Sequence, residues 1–484
     1  MSHAIVWFRR DLRLSDNKAL NAALRDHDNV TCVFNFDPYF LDPLESTDKR
    51  LSVFIEALGD LDASLREKAS ALVISHGDPQ KEIPQLLKQL SAKALYLNRD
   101  YTPYALKRDT SIRKSVEGMG IQFNSFKDHV IFEPEEIEKP SGGPYTVFTP
   151  FKKRWLSFFE ENESLGVVET VSKAHFKSLS DLETLCHSET TIRLFDSNNC
   201  YQQLGFQKQS LIITPTRKAG LKRLNAFMKN GVSQYHEKRD FPAIEGTSAL
   251  SVHIRFGLIS VRECLSAALS QETPLAQNTG AMEWVSELIW REFYQMILGR
   301  FPHVKDRAFK EKYDDIQWQG EEGHFEKWCQ GQTGFPIIDA AMRAFNETGL
   351  MHNRLRMVVA SFLCKTLLLD WRLGEAYFAK GLLDFELASN NGGWQWASSS
   401  GCDAQPYFRI FNPHAQAQKF DPQARFIKQY CPELASFSPK ACWDTQFATI
   451  AEQKDSATVI GKEYPSPIVS YKDNRARALA MYKM

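Results

Sequence analysis

From residue 4 to about residue 132, short apolar runs alternate with stretches of helical period. AIVWF, TCVFNF, ALVISHG, ALYLN and IQFNSF predict strands, and Leu51–Ala69 and Ile83–Leu90 predict helices between them. That order predicts an α/β domain on a Rossmann-like, doubly wound parallel sheet. No G-x-G-x-x-G follows the first strand, so the dinucleotide fingerprint is missing. A sheet with some other ligand, or none, is the plain reading. From Ile131 to about Phe206 the pattern weakens. EPEEIEKPSGGPYTVFTPFKKRW is punctuated by Pro and Gly, and Ala174 to Asn199 is polar with little periodicity. Both predict a connector wrapped on the surface. Its FTPFKKRW segment reads as solvated linker by default, with docking against the body as the other option. After Phe206 come helical stretches of roughly 10–20 residues with almost no strand signal. The chain therefore divides into 1–132, 133–206 and 207–484, the last region all-α.

Within that last region, Met357 to Trp371 predicts a mostly apolar, buried helix interrupted by Ser361, Cys364, Lys365, Thr366 and Asp370. Asn353, Arg356 and Met357 fall at its N-terminal end. Asn353 and Met357, four apart, share a face, and Arg356 lies to one side. Further on, Gly392-Gly393 predicts a turn where backbone approaches backbone or ligand, with the Asn390 amide beside it. A large planar cofactor would fit there. WVSELIWREFYQMIL predicts an amphipathic helix presenting Glu287, Trp290, Trp284 and Arg291 on adjoining parts of one surface. A core helix with a Glu287–Arg291 pair accounts for both charges, whereas an acid beside tryptophans also suits stacking on a base and bonding its edge. Gly246 to Ser251 sets a flexible residue and hydroxyls at a helix start, a place that favours an anion such as a diphosphate.

Composition adds limits. The 484 residues are 43% hydrophobic, enough for two or three domains with their own cores. Formal net charge is zero, so the whole chain gives no electrostatic argument for nucleic acid and any such surface must be local. The run from Lys208 to Arg239 carries eight cations against Glu237 alone. It reads as a solvated helix face first and a phosphate-facing surface second. Nine cysteines without a C-x-x-C pair or a His/Cys cluster imply reduced thiols, no disulfide frame and no metal. Arginines in MSHAIVWFRRDLR exclude a signal peptide, and no apolar window is long enough to span a bilayer. The expected location is cytoplasmic, with no membrane partner.

MHNRLRM, NNGGWQW, DAQPYFRIFNP and WVSELIWREFY, together with VWFRRDLRLSDN at the start, resemble the photolyase/cryptochrome family. The likeness extends to about Pro467, and within the family the chain resembles specifically the class I cyclobutane pyrimidine dimer (CPD) photolyases. The resemblance implies an all-α C-terminal FAD-binding domain and a light-dependent repair enzyme acting on UV-damaged DNA. It also implies FAD active as the reduced anion FADH⁻. Positions matching the family's flavin contacts are Tyr235, Thr247, Ser248, Ala249, Leu250, Ser251, Trp284, Arg291, Asp384, Phe385, Glu386 and Asn390. Asn390 matches the residue beside flavin N5, where plant-type signalling relatives carry Asp. Glu386 departs from a more usual Asp, and Leu350 from a frequent Trp.

By the same resemblance Glu287 and Asn353 bond the lesion's carbonyl edges, Glu287 as a protonated acid, and Trp290 and Trp396 pack against the flipped pyrimidines. Met357 completes the catalytic set. Photoproduct lyases of the (6-4) type carry histidines at the positions of Asn353 and Met357, so this pair implies CPD chemistry. His352 is shared by both types. Trp394, Trp371 and Trp318 match an electron chain from flavin to surface. Without the resemblance, each is simple core. Arg291 and Tyr294 join Glu287, Trp290 and Asn353 at the DNA, with Arg239, Arg356 and Arg409 facing phosphates. In the loop NRDYTPYALKRD, Tyr104-Ala105 replaces the Asn-Glu of folate-binding members. The antenna is therefore left open among a deazaflavin, another flavin, methenyltetrahydrofolate or none. A monomer, nucleoid-associated when on DNA, is expected. The alternative is a cryptochrome-type blue-light photoreceptor, but after about Tyr471 there is only a short basic helix and no long tail to carry a signal.

Overall fold

The structure, a computed structural model, describes residues 2–170, 175–188 and 192–483. All five predicted strands are present: β1 (His3–Phe8), β2 (Asn29–Phe36), β3 (Val73–His76), β4 (Ala94–Asn98) and β5 (Gln122–Phe126). They pair in parallel in the order β5-β4-β1-β2-β3. β1 to β4 are apolar and buried almost throughout, as strands covered on both faces must be. The helices Lys49–Arg66 and Pro79–Gln89 occupy the predicted stretches, with Asp48 and Asp78 as N-caps that accept from backbone N–H groups of the first turn. One strand was not legible. β6 (Arg193–Leu194) comes from the connector and adds antiparallel to β3. Two residues are too few to show a period of two.

The connector is also more ordered than its composition suggests. Residues 174 and 189–191 of its polar stretch lie outside the described residues. FTPFKKRW, read as solvated linker, lies in the helix Phe148–Glu161 and buries Phe151, Trp155 and Phe159. These three, four apart, form one apolar stripe, and that spacing decides against the linker.

By Cα packing the chain forms two units. The first comprises Met1–Pro144, Lys152–Asn230 and Ser248–Gly299, and the second Tyr145–Phe151, Gly231–Thr247 and Arg300–Met484. In the first, four charges are buried together. Arg262 bonds Asp16 at 2.9 Å and Asp128 at 2.6 Å, and Arg13 bonds Asp128 at 2.8 Å, every one of these side chains at most 2% exposed. They fasten the helix Val261–Leu269, which carries Arg262, to the turn after β1. Much of the basic run is likewise structural. Lys208 pairs with Glu56, Arg217 with Glu263, and Arg223 Nε donates to the Ser248 carbonyl. Lys218, Lys222 and Lys229 are exposed, as the solvated-face reading expects.

The second unit is helical, around a core that includes Trp328, Phe335, Phe362, Trp371, Phe378 and Trp394. Two expectations need correction here. The predicted helix to Trp371 ends at Lys365, and a new one, Trp371–Gly381, begins after a break. Leu368 adopts φ 59° and Asp370 caps the second helix on the Arg372 N–H, so the chain turns where the apolar run alone suggested continuity. Gly392 and Gly393 do not make a turn. They lie inside the helix Leu387–Ala397, whose buried face holds Asn390, Asn391 and Trp394. Among the described residues no helix is long and apolar enough to cross a membrane, and no group of three or more His, Cys, Asp or Glu is placed to hold a metal.

Candidate functional site

In the first unit, the helix Thr279–Arg300 presents Glu287, Trp290, Arg291 and Tyr294 as a half-buried stripe with buried residues on either side. The spacing i, i+3, i+4, i+7 puts the four on one face. Trp290 is held by Tyr294, stacked at 5.5 Å, and by Phe293 edge-on at 5.6 Å. Arg291 Nη1 donates to the His129 carbonyl at 2.6 Å. Trp284 is 3% exposed and packs on Phe227, backing the stripe from the core. One residue that sequence reasoning did not mark is Glu292. Its buried carboxylate accepts from Trp155 Nε1 at 2.6 Å and from the Ile131 and Phe132 N–H groups. Burial pushes its pKa up. Nothing local in the sequence separates it from Glu287.

The hydroxyl-rich step runs as expected into a helix, but a short one, Ser251–Arg255, whose N-cap Leu250 offers no side-chain acceptor. Five residues bring little macrodipole, so free N–H groups and hydroxyls carry whatever anion affinity there is. Thr247 and Ser248 are half-buried and Ser251 exposed. Ala249 takes φ 46°. A Cβ at Gly246 would overlap the Lys238 carbonyl, so glycine is required for this close approach.

In the second unit, Asn353 is exposed and Met357 half-buried on one face at the start of the helix Asn353–Lys365. His352 caps that helix, its Nδ1 accepting from the Arg354 N–H at 3.2 Å. Burial pulls its pKa down to about 4, so it is a neutral acceptor and no acid at pH 7. Arg354 pairs with Asp240 at 2.9 Å and lies over Phe420. Arg356, expected at a phosphate, commits Nη2 to Asp384 at 2.8 Å and Nε to the Met351 carbonyl at 2.9 Å, with its side chain 31% exposed. Its first task is to hold a carboxylate that is 4% exposed. Asn390 donates through Nδ2 to the Glu375 carboxylate at 2.8 Å and carbonyl at 3.1 Å. Burial pushes Glu375 up. That partner is fifteen positions upstream on another helix, beyond any sequence period. Phe385 and Glu386 complete the turn into the helix Leu387–Ala397, Glu386 as its N-cap without a side-chain capping bond.

Trp394 and Trp371 are 2% and 1% exposed and Trp318 is half-buried, so the outermost of the three in the expected order is also the most exposed. Trp394 sits edge-on to Phe378 at 5.1 Å and to Trp328 at 6.0 Å. A Cβ at Gly374 would overlap its ring. Trp396 is half-buried on the same helix, Arg409 is exposed, and Arg239 lies over the buried Tyr235 ring. In the first unit, Tyr104 stacks on Tyr39 at 3.8 Å and donates to Asp37 at 2.5 Å.

Each unit holds features that fit part of a flavin dinucleotide. In the first, a helix start lacks a side-chain cap beside the Ser248 and Ser251 hydroxyls; in the second, Gly246 gives a backbone cradle, and the Asp384 carboxylate and Asn390 amide are both oriented by partners.

A family model described as the FAD binding domain of DNA photolyase matches residues 284–484, and one described as DNA photolyase matches residues 4–169. The chain is 37% identical over 483 residues to the deoxyribodipyrimidine photo-lyase of Synechococcus sp., covering 99% of this chain and 96% of the relative. Among solved structures it resembles a class III photolyase from Agrobacterium tumefaciens, with TM-score 0.86, 32% identity and coverage of 100% and 97%. It also resembles a cryptochrome from Synechocystis sp. PCC6803, with TM-score 0.85, 26% identity and coverage of 99% of both chains.

Proposed function

The chain belongs to the DNA photolyase family, and from that premise we propose that it splits cyclobutane pyrimidine dimers in UV-damaged DNA by light, as a class I enzyme. The observation that carries this reading is the exposed Asn353/Met357 face, capped by a neutral His352. No group there delivers a proton, which suits a lesion undone by electron transfer rather than by acid catalysis. The likeness to a class III photolyase makes class III the competing subclass.

The chemistry that bound, reduced FAD would supply under blue light is an electron to weaken the cyclobutane ring. The protein's work is to hold and orient. Thr247, Ser248 and Ser251 with the uncapped N–H groups would take the diphosphate, and Tyr235, Ala249, Leu250, Trp284, Arg291, Asp384, Phe385, Glu386 and Asn390 would hold the rest. Glu375 fixes which way the Asn390 amide faces, and Arg356 fixes Asp384. Glu287 and Asn353 present a carboxyl and an amide to the carbonyl edges of the flipped bases. Trp290, braced by Tyr294, and Trp396 stack on those bases, at a flipping cost of a few kcal/mol that a distorted lesion has partly met. Arg239 and Arg409 meet phosphates. Trp394, Trp371 and Trp318 return reducing equivalents. The Tyr104–Tyr39 stack, where folate-binding members carry Asn-Glu, supports a deazaflavin or other flavin antenna, or none. Functionally the chain divides into an antenna domain over 1–132, the connector over 133–206 and the flavin-holding domain over 207–484, working as a cytoplasmic monomer.

Blue light on flavin-reduced protein with an oligonucleotide holding one thymine cyclobutane dimer is expected to restore base absorbance, with none in the dark and none with a (6-4) lesion. A photoreceptor, which the cryptochrome likeness favours, would leave the lesion intact in the light.

A further inference from the structure

The chain from 398 to 412, between the helices Leu387–Ala397 and Pro413–Phe420, has no regular structure. A loop of this length in a packed unit is uncommon and is usually functional. It holds two non-glycine residues at positive φ, Ser399 at 67° and Asp403 at 44°, so something must hold it in shape. Its tip is exposed at Phe408, which is 57% accessible, and at Arg409. Beneath it lies Lys365, the last residue of the helix Asn353–Lys365, with a relative exposure of 0%. Among the described residues no carboxylate pairs with it. Its ammonium instead donates to Ser399 Oγ at 2.8 Å and to the Arg409 carbonyl at 3.3 Å, and lies 5.9 Å from the centre of the Tyr482 ring. Tyr482 in turn donates to the Ser398 carbonyl at 2.6 Å. Burying an ammonium without a counter-ion is costly, and both of its oxygen partners belong to the loop.

We propose that Lys365 is a positioning residue for damaged-DNA binding, gripping the loop at Ser399 and at the Arg409 backbone so that the Arg409 side chain meets a phosphate. This rests on the reading of Arg409 given above. The same helix carries Asn353 and Met357 at its other end, so one rigid rod sets both the lesion-facing residues and the root of the phosphate-facing loop.

The test uses the full-length, flavin-loaded protein in the dark, with anisotropy of a labelled duplex holding one thymine cyclobutane dimer across a range of salt. Arg409→Ala is expected to weaken binding about three- to tenfold and lower the salt slope by about one. Lys365→Met, with flavin content unchanged, is expected to do the same in the native background and to change Kd less than about twofold when added to Arg409→Ala. An equal loss in both backgrounds, or an unchanged slope, overturns the positioning role. A silent Arg409→Ala overturns the phosphate reading and the proposal together, whereas an effective Arg409→Ala beside a silent Lys365→Met overturns the proposal alone. If Lys365→Met does not fold, Ser399→Ala removes the side-chain grip from the other side. It should weaken binding in the same direction with the same loss of slope, and unchanged affinity there overturns the proposal.

Discussion

Gly374 and Asn390 show how much a single position decides. Replacing Gly374 with alanine inside the helix Trp371–Gly381 would gain about 1 kcal/mol of helix propensity. The new methyl would overlap the Trp394 ring and also press on Leu363, and overpacking costs about 1–3 kcal/mol. The clash wins. Gly374→Ala is expected to lower the urea midpoint and slow light-driven flavin reduction, read by absorbance, through a displaced Trp394. Asn390→Asp would set a second carboxylate against Glu375 in a buried place. Burial already holds the Glu375 pKa above its ordinary value, and a neighbouring carboxylate raises it further. The folded state then binds more protons than the unfolded state. The stabilising contribution is therefore full below the unfolded pKa and is lost as pH rises through the raised one. Unfolding at stepped pH is expected to show Asn390→Asp losing stability from acid to neutral pH more steeply than the native chain. Asn353 and Met357 were legible because four positions make one face of a helix. Glu375 was not, since its tie to Asn390 crosses from one helix to the next.

At the level of elements, the apolar and polar pattern gave the five parallel strands and the N-terminal turn carrying Asn353, Arg356 and Met357. It failed where chain direction changes without an obvious breaker. Between Lys365 and Trp371 there is neither Gly nor Pro, yet Leu368 at positive φ and the Asp370 cap end one helix and start another. The reverse error came at Gly392-Gly393, where two glycines signal a turn but the buried Trp394 and Asn390 hold a helix together. A test follows. A Cβ at Gly393 meets nothing within 4 Å, so Gly393→Ala should stabilise the flavin-free protein by about 0.5–1 kcal/mol. If this glycine is kept for close approach of a ligand, the same variant should bind FAD or damaged duplex more weakly, as measured by titration. A gain in stability with unchanged binding would make the glycine incidental.

Across the molecule, the ties that matter most join residues far apart in the chain. Asp16 and Arg262 are separated by 246 positions, and no sequence period links them. Burial pushes the Asp128 carboxyl up, but Arg13 and Arg262 outweigh it and hold it below the usual carboxylate range. Arg262→Met leaves the Asp16 carboxylate with the Ser260 hydroxyl and the Glu169 N–H but without its paired cation, Arg13 bonding only the Asp16 carbonyl. Breaking a buried pair in this way costs about 3–5 kcal/mol. A urea midpoint lowered by that free energy divided by the slope, with the slope unchanged, is expected, and a loss below about 1 kcal/mol would show the cluster to be dispensable.

The same four charges also set a schedule for synthesis. Asp16, Arg13 and Asp128 leave the ribosome early, and at roughly 5–20 residues per second Arg262 follows Asp16 by about 12–50 s. For about the last 7–27 s of that interval, once Asp128 is made, the nascent unit carries two acids destined for its interior with one guanidinium to share between them. Its last turn must stay wet, open to chaperones and proteases, until the helix Val261–Leu269 arrives. The strands made first are thus finished late, and a chain cut before residue 262 would inherit the unfinished state for good.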